Sequence, residues 1–323
     1  MSVHEEGLRD VVVVGGGAAG LSAALTLSRA RQAVTVIDAG APRNAPAEGV
    51  HGLLGLEGIS PVELLRRGRE EVRGYGGEIV TGEVVDVERT ATGFTLRTRN
   101  GASFGARRLV IATGLVDELP EVPGVREQWG RGVLHCPFCH GWEVRDRRIG
   151  ILVTGPQSVH KAFLFRQWSA DVVLFSNDHE LEPQEQSQLA ALGVAVIDGT
   201  VTGLDVEGDA LRGVRLADGR AIDVDAIVVA TRMVARTEPF EGIGLEPTEH
   251  PMGAFIEADE FGRSTVPGVW VAGNASDLGA QVSHAVAAGT RAAQHLISEV
   301  VMAGLAPIDA PVPASSEPAQ EGA

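Results

Sequence analysis

The sequence predicts an α/β fold of two tandem units, each a β-α-β layer with an inserted β-meander, and three observations predict it. A short apolar run at residues 11–14 leads straight into Gly15, Gly16 and Gly17 and then a helix-compatible stretch. A second apolar run at 149–154 leads into Gly155 and another such stretch. Each unit closes on a matching buried strand, 109–113 in the first and 226–231 in the second, after three short strand-like segments. Two Rossmann-like, three-layer nucleotide-binding domains are the simplest account of this repeat.

The elements follow in order. Residues 11–14 form a continuous apolar run, the mark of a strand buried on both faces. Residues 18–30 suit a helix, with Leu21, Ala24, Leu25 and Ser28 on one face. Residues 34–37 are a second buried strand, and helix-like sequence runs through 61–75. Short strands are expected near 81–88, 94–99 and 103–107. In the middle one, Phe94 and Leu96 face inward and Thr95 and Arg97 outward. Asn100-Gly101 supplies a tight hairpin turn. Residues 109–114 form a buried strand ending in Gly114.

The second unit repeats this layout. A strand at 149–154 precedes a helix from Ser158 onward and a strand at 171–175. Short strands near 201–207, 211–216 and 221–224 follow, with Asp218-Gly219 as a hairpin turn, and 226–231 closes the unit. Beyond it, 268–274 reads as a strand into a turn and 281–304 as a helix. The tail, 305–323, is rich in Pro, Ala, Ser and Glu and is expected to be disordered.

The 323 residues suit two domains. Apolar residues are 44%, enough for sizeable cores, but aromatics are only 4%, so those cores must be aliphatic. The net charge of −16 repels phosphate backbones and anionic membranes, so no nucleic-acid or membrane partner is expected. No apolar run reaches the roughly 18 residues of a membrane-spanning helix. The start, MSVHEEGLRD, lacks a basic stretch followed by an apolar one, so no secretory signal is expected and the location is read as cytoplasmic. In that reducing compartment two cysteines spaced Cys-x-x-Cys point to redox or metal chemistry rather than a structural staple.

Gly15-x-Gly17-x-x-Gly20 lies between a strand and a helix, and Asp38 ends the next strand. The glycines allow a tight turn and close approach to a pyrophosphate. The helix N-terminus offers free N–H groups, and Asp38 can accept hydrogen bonds from a ribose. The alternative is a glycine-rich turn in another α/β fold with a solvated acid at a strand end.

The segment His135-Cys136-Pro137-Phe138-Cys139-His140-Gly141-Trp142-Glu143 carries the richest chemistry. Cys-x-x-Cys-His is literally the c-type haem attachment pattern, but that reaction normally needs export. A zinc site from His135, Cys136, Cys139 and His140 is disfavoured, because adjacent residues rarely reach one tetrahedral centre and no second Cys-x-x-Cys exists; no metal is expected. Inert core cysteines are a poor account of two in such a motif and none elsewhere. A redox dithiol fits: the two-residue spacer lets the sulfurs bridge and one thiolate be stabilised. An adjacent histidine can carry protons to and from the thiols. His140 is favoured for that role, and His135 stays open.

These residues resemble the low-molecular-weight thioredoxin reductases over about residues 8–304. The shared features, in order, are Gly15-x-Gly17-x-x-Gly20, Ala112-Thr113-Gly114, the cysteine pair, and Gly268-Val269-Trp270-Val271-Ala272-Gly273. The match is closest to a branch with a Cys-Pro-Phe-Cys-His-Gly centre, which includes oxidases that close disulfides in small dithiols. The resemblance implies an FAD-binding domain at 1–115 and 245–304, interrupted by a pyridine-nucleotide-like domain at 116–244 that carries the cysteines, and a homodimer. It implies FAD contacts from Gly15, Gly17, Ala19, Gly20, Asp38, Thr113 and Gly114, and from Gly273, Asn274, Gln281 and Val282 at the ribityl chain and ring. It implies that Cys139 is the charge-transfer thiolate against the flavin, Cys136 the interchange thiol, and His140 the acid/base.

The chain departs from that family in places. Asn274 stands where an Asp usually holds the ribityl chain, though its carbonyl oxygen can still accept a hydrogen bond. The second glycine motif reads Gly155-Pro156-Gln157-Ser158-Val159-His160; one glycine remains, and Pro156 removes a backbone N–H. Where users of NADPH carry a basic cluster, Phe175-Ser176-Asn177-Asp178-His179 has none, and Arg232 replaces a glycine. Use of NAD(P)H is therefore open. Three readings follow: a reductase of thioredoxin or a small disulfide, an oxidase of a small dithiol with oxygen as acceptor, and a flavin/dithiol sensor without turnover.

Overall fold

The computed structural model describes residues 8–155 and 157–304. The predicted disordered tail, Pro156 and the first seven residues lie outside the described residues.

Strand Leu8–Val14 lies at the centre of a seven-stranded sheet, between Val34–Asp38 and Ser103–Ile111, parallel to both. Glu78–Thr81 extends the sheet beyond Val34–Asp38. Antiparallel strands Gly93–Thr98 and Val84–Thr90 extend it on the other side. Phe94 and Leu96 point into the core, as the alternation predicted. Val269–Val271, from far along the chain, pairs with Leu109–Ile111.

Two boundaries differ from expectation. The strands expected at 103–107 and 109–114 are one, Ser103–Ile111. Its first half pairs with Gly93–Thr98 and its second with Val269–Val271, so burial changes midway and the sequence looks like two pieces. The single strand expected at 81–88 is two, Glu78–Thr81 and Val84–Thr90, on opposite edges of the sheet. Gly82 stands in the break, its N–H bonded to the Asp38 carbonyl.

Helices Ala18–Arg29 and Val282–Gly304 cover one face of this sheet, packing against Val11, Val13, Val34, Val36, Val110 and Trp270. Leu25 is only half-buried; Ala23 and Leu27 are the fully buried members instead. On the opposite face the meander strands and residues 235–266 pack against Val12, Val14, Ile37, Leu109 and Ile111. Helix, sheet and meander make the three layers.

The second unit has an all-parallel sheet in the order Ala195–Ile197, Val172–Phe175, Ile149–Leu152, Ala226–Val229, Val133–Leu134. Helices Ser158–Phe165 and Pro183–Ala191 lie against one face. Its meander, Val201–Glu207, Ala210–Leu216 and Ala221–Asp223, is a separate sheet packed on the other. A four-stranded sheet unexpected from sequence joins Leu115–Glu118, Arg232–Ala235, Gly253–Phe255 and Thr248–His250. It brings together the two segments by which the chain enters and leaves the second unit. No helix among the described residues is long and apolar enough to cross a membrane.

Candidate active site

One cavity of about 1000 Å³ runs between the glycine-rich turn and the cysteine pair. Gly15, Gly17, Ala19, Asp38, Thr113, Gly114, Gly273, Asn274, Gln281 and Val282 all line it, together with Cys136, Cys139 and His140. Gly20 does not. A Cβ there would lie 1.9 Å from the Gly15 carbonyl oxygen, so Gly20 lets the helix close against the turn rather than meeting a ligand.

The turn has the shape a pyrophosphate needs. Gly15 has φ +106°, and a Cβ there would strike the Ala112 carbonyl. Gly17 is the N-cap of helix Ala18–Arg29, and a Cβ there would meet no protein atom within 4 Å, so its open side belongs to the cavity. Helix Val282–Gly304 also begins at the cavity wall, and neither helix has an acidic residue in its first turn. Two helix N-termini thus present uncancelled positive ends to one space. Asp38 accepts from the Gly16 and Gly40 N–H groups and pairs with Arg69 at 2.7 Å. That partner, on helix Pro61–Gly74, was not foreseen. Asn274 donates through Nδ2 to the Asp277 and Ala280 carbonyls. Those two bonds fix the amide so that Oδ1 is the group left to accept.

At the other end, Cys136 and Cys139 are joined as a disulfide, Cα to Cα 5.3 Å, and both are half-buried. Cys136 precedes a single helical turn, Pro137–His140, whose tight geometry brings the Cys139 sulfur back to Cys136. Phe138 and Trp142 beside the pair are exposed. Among the described residues, no group of three or more His, Cys, Asp or Glu side chains is arranged to hold a metal.

The two histidines have different settings. His135 has Arg43 at 3.3 Å from Nε2 and Lys161 at 3.4 Å from Nδ1, and Lys161 also donates to the His135 carbonyl at 2.6 Å. Burial, then the charges of Lys161 and Arg43, push this imidazole down to about 3. Burial likewise pulls Lys161 down to about 8. Arg43 grips Asp117 with two bonds of 2.6 and 2.7 Å, and Thr231 donates to the same carboxylate. Burial works to raise Asp117, but Arg43 outweighs it and holds the carboxyl below its ordinary value. His140 is also lowered by burial, with Glu143 opposing, and its Nδ1 is buried with no hydrogen-bond partner among the described residues. Arg43, Asp117 and Lys161 carried no sequence signal, since each lies far from the cysteines along the chain.

At the second glycine turn two backbone donors are already engaged. Ser158 Oγ, fully buried, accepts from the N–H groups of Thr154 and Gly155 at 3.0 and 3.3 Å. Asp178 accepts from Thr200, and Arg232 is held by Glu118 and Glu249.

Residues 9–289 match the family model described as pyridine nucleotide-disulphide oxidoreductase. The thioredoxin reductase tcpT of Claviceps purpurea is 32% identical over 302 residues, covering 88% of this chain and 92% of that one. The crystal structure of HlmI is 46% identical with a TM-score of 0.88, covering 93% of this chain and 95% of that chain. The structure of an oxidoreductase from Agrobacterium tumefaciens is 33% identical with a TM-score of 0.86, covering 91% and 99%. FAD is the cofactor of such proteins, and the cradle at Gly17, the paired helix N-termini and the acceptors on Asp38 and Asn274 fit it. The chain belongs to the pyridine nucleotide-disulphide oxidoreductase family, among its FAD-binding, thioredoxin reductase-like members.

Proposed function

We propose that this oxidoreductase of sulfur groups works as a dithiol oxidase, closing a disulfide in a small dithiol with dioxygen as terminal acceptor. The observation that carries this reading is Ser158. Its buried Oγ takes the N–H groups of Thr154 and Gly155, which a nucleotide pyrophosphate would otherwise use. The Asp178 carboxylate also opposes a 2′-phosphate, and the Arg232 guanidinium is already engaged by Glu118 and Glu249. The FAD-binding domain is residues 1–115 and 245–304, and the nucleotide-like domain, 116–244, is kept as the frame for the cysteines. The protein works as a homodimer.

His140, neutral because burial lowers it, takes the proton of one substrate thiol. That thiolate attacks Cys136 Sγ; the Cys136–Cys139 bond breaks and Cys139 leaves as thiolate. The second substrate thiol loses its proton to solvent, and its thiolate attacks the substrate sulfur of the mixed disulfide. Cys136 is released and takes the proton back from His140. Two electrons and one proton have moved from substrate to the pair, which is left as the Cys136 thiol and the Cys139 thiolate, and the second proton has gone to solvent. FAD, when bound, supplies the two-electron acceptor for them, and dioxygen leaves as hydrogen peroxide. His135 is unsuited to the proton role, because two cations keep it neutral.

Anaerobic mixing of the holoprotein with dithiothreitol, NADH or NADPH, followed by flavin absorbance, tests this. Dithiothreitol should bleach the flavin, and air should then sustain oxygen uptake at one O₂ per disulfide. Bleaching by micromolar NADPH with turnover of thioredoxin would establish the reductase instead. Stoichiometric bleaching without sustained flux would leave a sensor. Cys136→Ser and Cys139→Ser should each end turnover; normal rates in both would remove the cysteines from the mechanism.

A further inference from the structure

The Asp38 carboxylate has little hydrogen-bonding capacity left for a ligand. Oδ1 accepts from the N–H groups of Gly16 and Gly40 at 3.1 and 3.2 Å, and Oδ2 accepts from Arg69 at 2.7 Å. A carboxylate offers about four lone-pair sites, so the one still open is on Oδ2. The group also sits tight over the glycine turn: a Cβ on Gly16 would lie 2.6 Å from both the Asp38 Cγ and Oδ2. The Asp38 and Arg69 side chains are only 16% and 26% exposed, so the ion pair is largely withdrawn from water. Arg69 reaches Asp38 because of how its helix is seated. Gly68 lets helix Pro61–Gly74 come close to helix Ala18–Arg29, since a Cβ there would already lie 3.1 Å from Leu21 Cδ1. Pro61, Leu64 and Leu65 of the same helix line the cavity, whereas Arg69, one turn beyond Leu65, does not. Arg69 therefore meets Asp38 and not the contents of the cavity.

We propose that Arg69 is a positioning residue for the cofactor: acting through Asp38, it leaves one fixed Oδ2 lone pair for a ribose hydroxyl of the FAD adenosine and cancels a carboxylate charge beside the pyrophosphate turn. This rests on Asp38 as the ribose acceptor, and it is independent of the direction in which electrons pass through the cysteines. Two effects share one sign. Without Arg69, the two backbone N–H groups still hold Oδ1, but the carboxylate can swing about that oxygen and Oδ2 loses its direction. Its charge, withdrawn from water and unpaired, then stands beside the turn that receives two phosphate charges. An asparagine at position 38 carries no such charge, so Arg69 has nothing to act on there.

The test is a double-mutant cycle read on cofactor release. Holoprotein is diluted, and the rise in flavin fluorescence gives the rate at which FAD leaves wild type, R69Q, D38N and the R69Q/D38N double variant. R69Q should release FAD about tenfold faster, the scale of one hydrogen bond to a charged group. D38N should also release it faster, and the double variant no faster than D38N alone. R69K keeps the charge but not the planar fork, so its rate should fall between wild type and R69Q. If R69Q does not fold with its carboxylate left unpaired, D38N against the double variant still decides the matter, because neither holds that charge. A wild-type rate in R69Q overturns the inference. So does faster release from the double variant than from D38N, because a helix that had merely loosened would free FAD whatever stands at position 38. Release from D38N at the wild-type rate is a separate failure: Asp38 is then not the ribose acceptor, and Arg69 has no role through it.

Discussion

Both ring nitrogens of His135 face donors, Arg43 on one side and Lys161 on the other, so a proton added there has nowhere favourable to sit. Burial compounds this, and the folded imidazole accepts a proton only near 3 against an ordinary 6.5. Between those values the unfolded chain binds more protons than the native one, so this histidine's contribution to stability is whole above pH 6.5 and declines as pH falls toward 3. H135Q removes that dependence. Urea unfolding of wild type and H135Q at pH 7 and pH 5 should show wild type losing more than the variant, by on the order of 1–2 kcal/mol at about 1.4 kcal/mol per pH unit. Arg43 holds the Asp117 carboxyl below its ordinary value, so it stays ionised at pH 5 and does not interfere. An equal loss in both proteins would mean His135 is not held neutral. His140 is lowered chiefly by burial, with Glu143 opposing. Protonation removes the base, so the rate of dithiol oxidation should be flat near neutrality and fall only at a pH below 6.5, as read from initial oxygen uptake between pH 4.5 and 8.

Helices Ala18–Arg29 and Val282–Gly304 pack backbone to backbone, and Gly289 is what permits it. A Cβ there would lie 2.0 Å from the Ala19 carbonyl oxygen. Alanine is the better helix former by about 0.8–1 kcal/mol, but overpacking against a backbone atom costs about 1–3 kcal/mol. Backbone cannot rotate away as a side chain can, so overpacking wins. G289A should lower Tm, and it should weaken FAD retention on a desalting column because Ala19 and Val282 line the cavity. A raised Tm would show that the helices part freely. At this scale the sequence was informative where a signal is local. The glycine turn, its helix and the Cys-x-x-Cys spacing each lie within a few residues, and each was read. The four-stranded sheet was not, because Leu115–Glu118 and Arg232–Ala235 are short strands whose pairing spans over a hundred residues. Helix Pro183–Ala191 was missed although Glu182, Pro183 and Glu185 form a capping box with proline at the first turn.

The cavity walls come from nearly the whole chain, from Val14 through the cysteine segment to Ala285. A ligand filling it touches both strand-turn-helix starts, Gly17 and Val282, and the disulfide segment, so binding energy is shared across parts that would otherwise separate on unfolding. FAD bound to the native state alone stabilises by mass action, about 2.7 kcal/mol at a free concentration of 100 times Kd and about 1.4 kcal/mol more for each further tenfold. The prediction is that apoprotein melts below holoprotein, and that its Tm climbs with the logarithm of added FAD without a plateau above saturation. The Cys136→Ser, Cys139→Ser double variant should climb along the same line, since no thiol takes part in holding the cofactor. A Gly17→Val variant should not climb, because its side chain would occupy the open side of the turn where the cofactor's phosphates approach. Calorimetry of the three proteins across a FAD series decides the matter. A Tm independent of FAD in the wild type would mean that the cavity is not the cofactor site. Equal slopes in Gly17→Val would mean that the glycine turn is not where the phosphates sit.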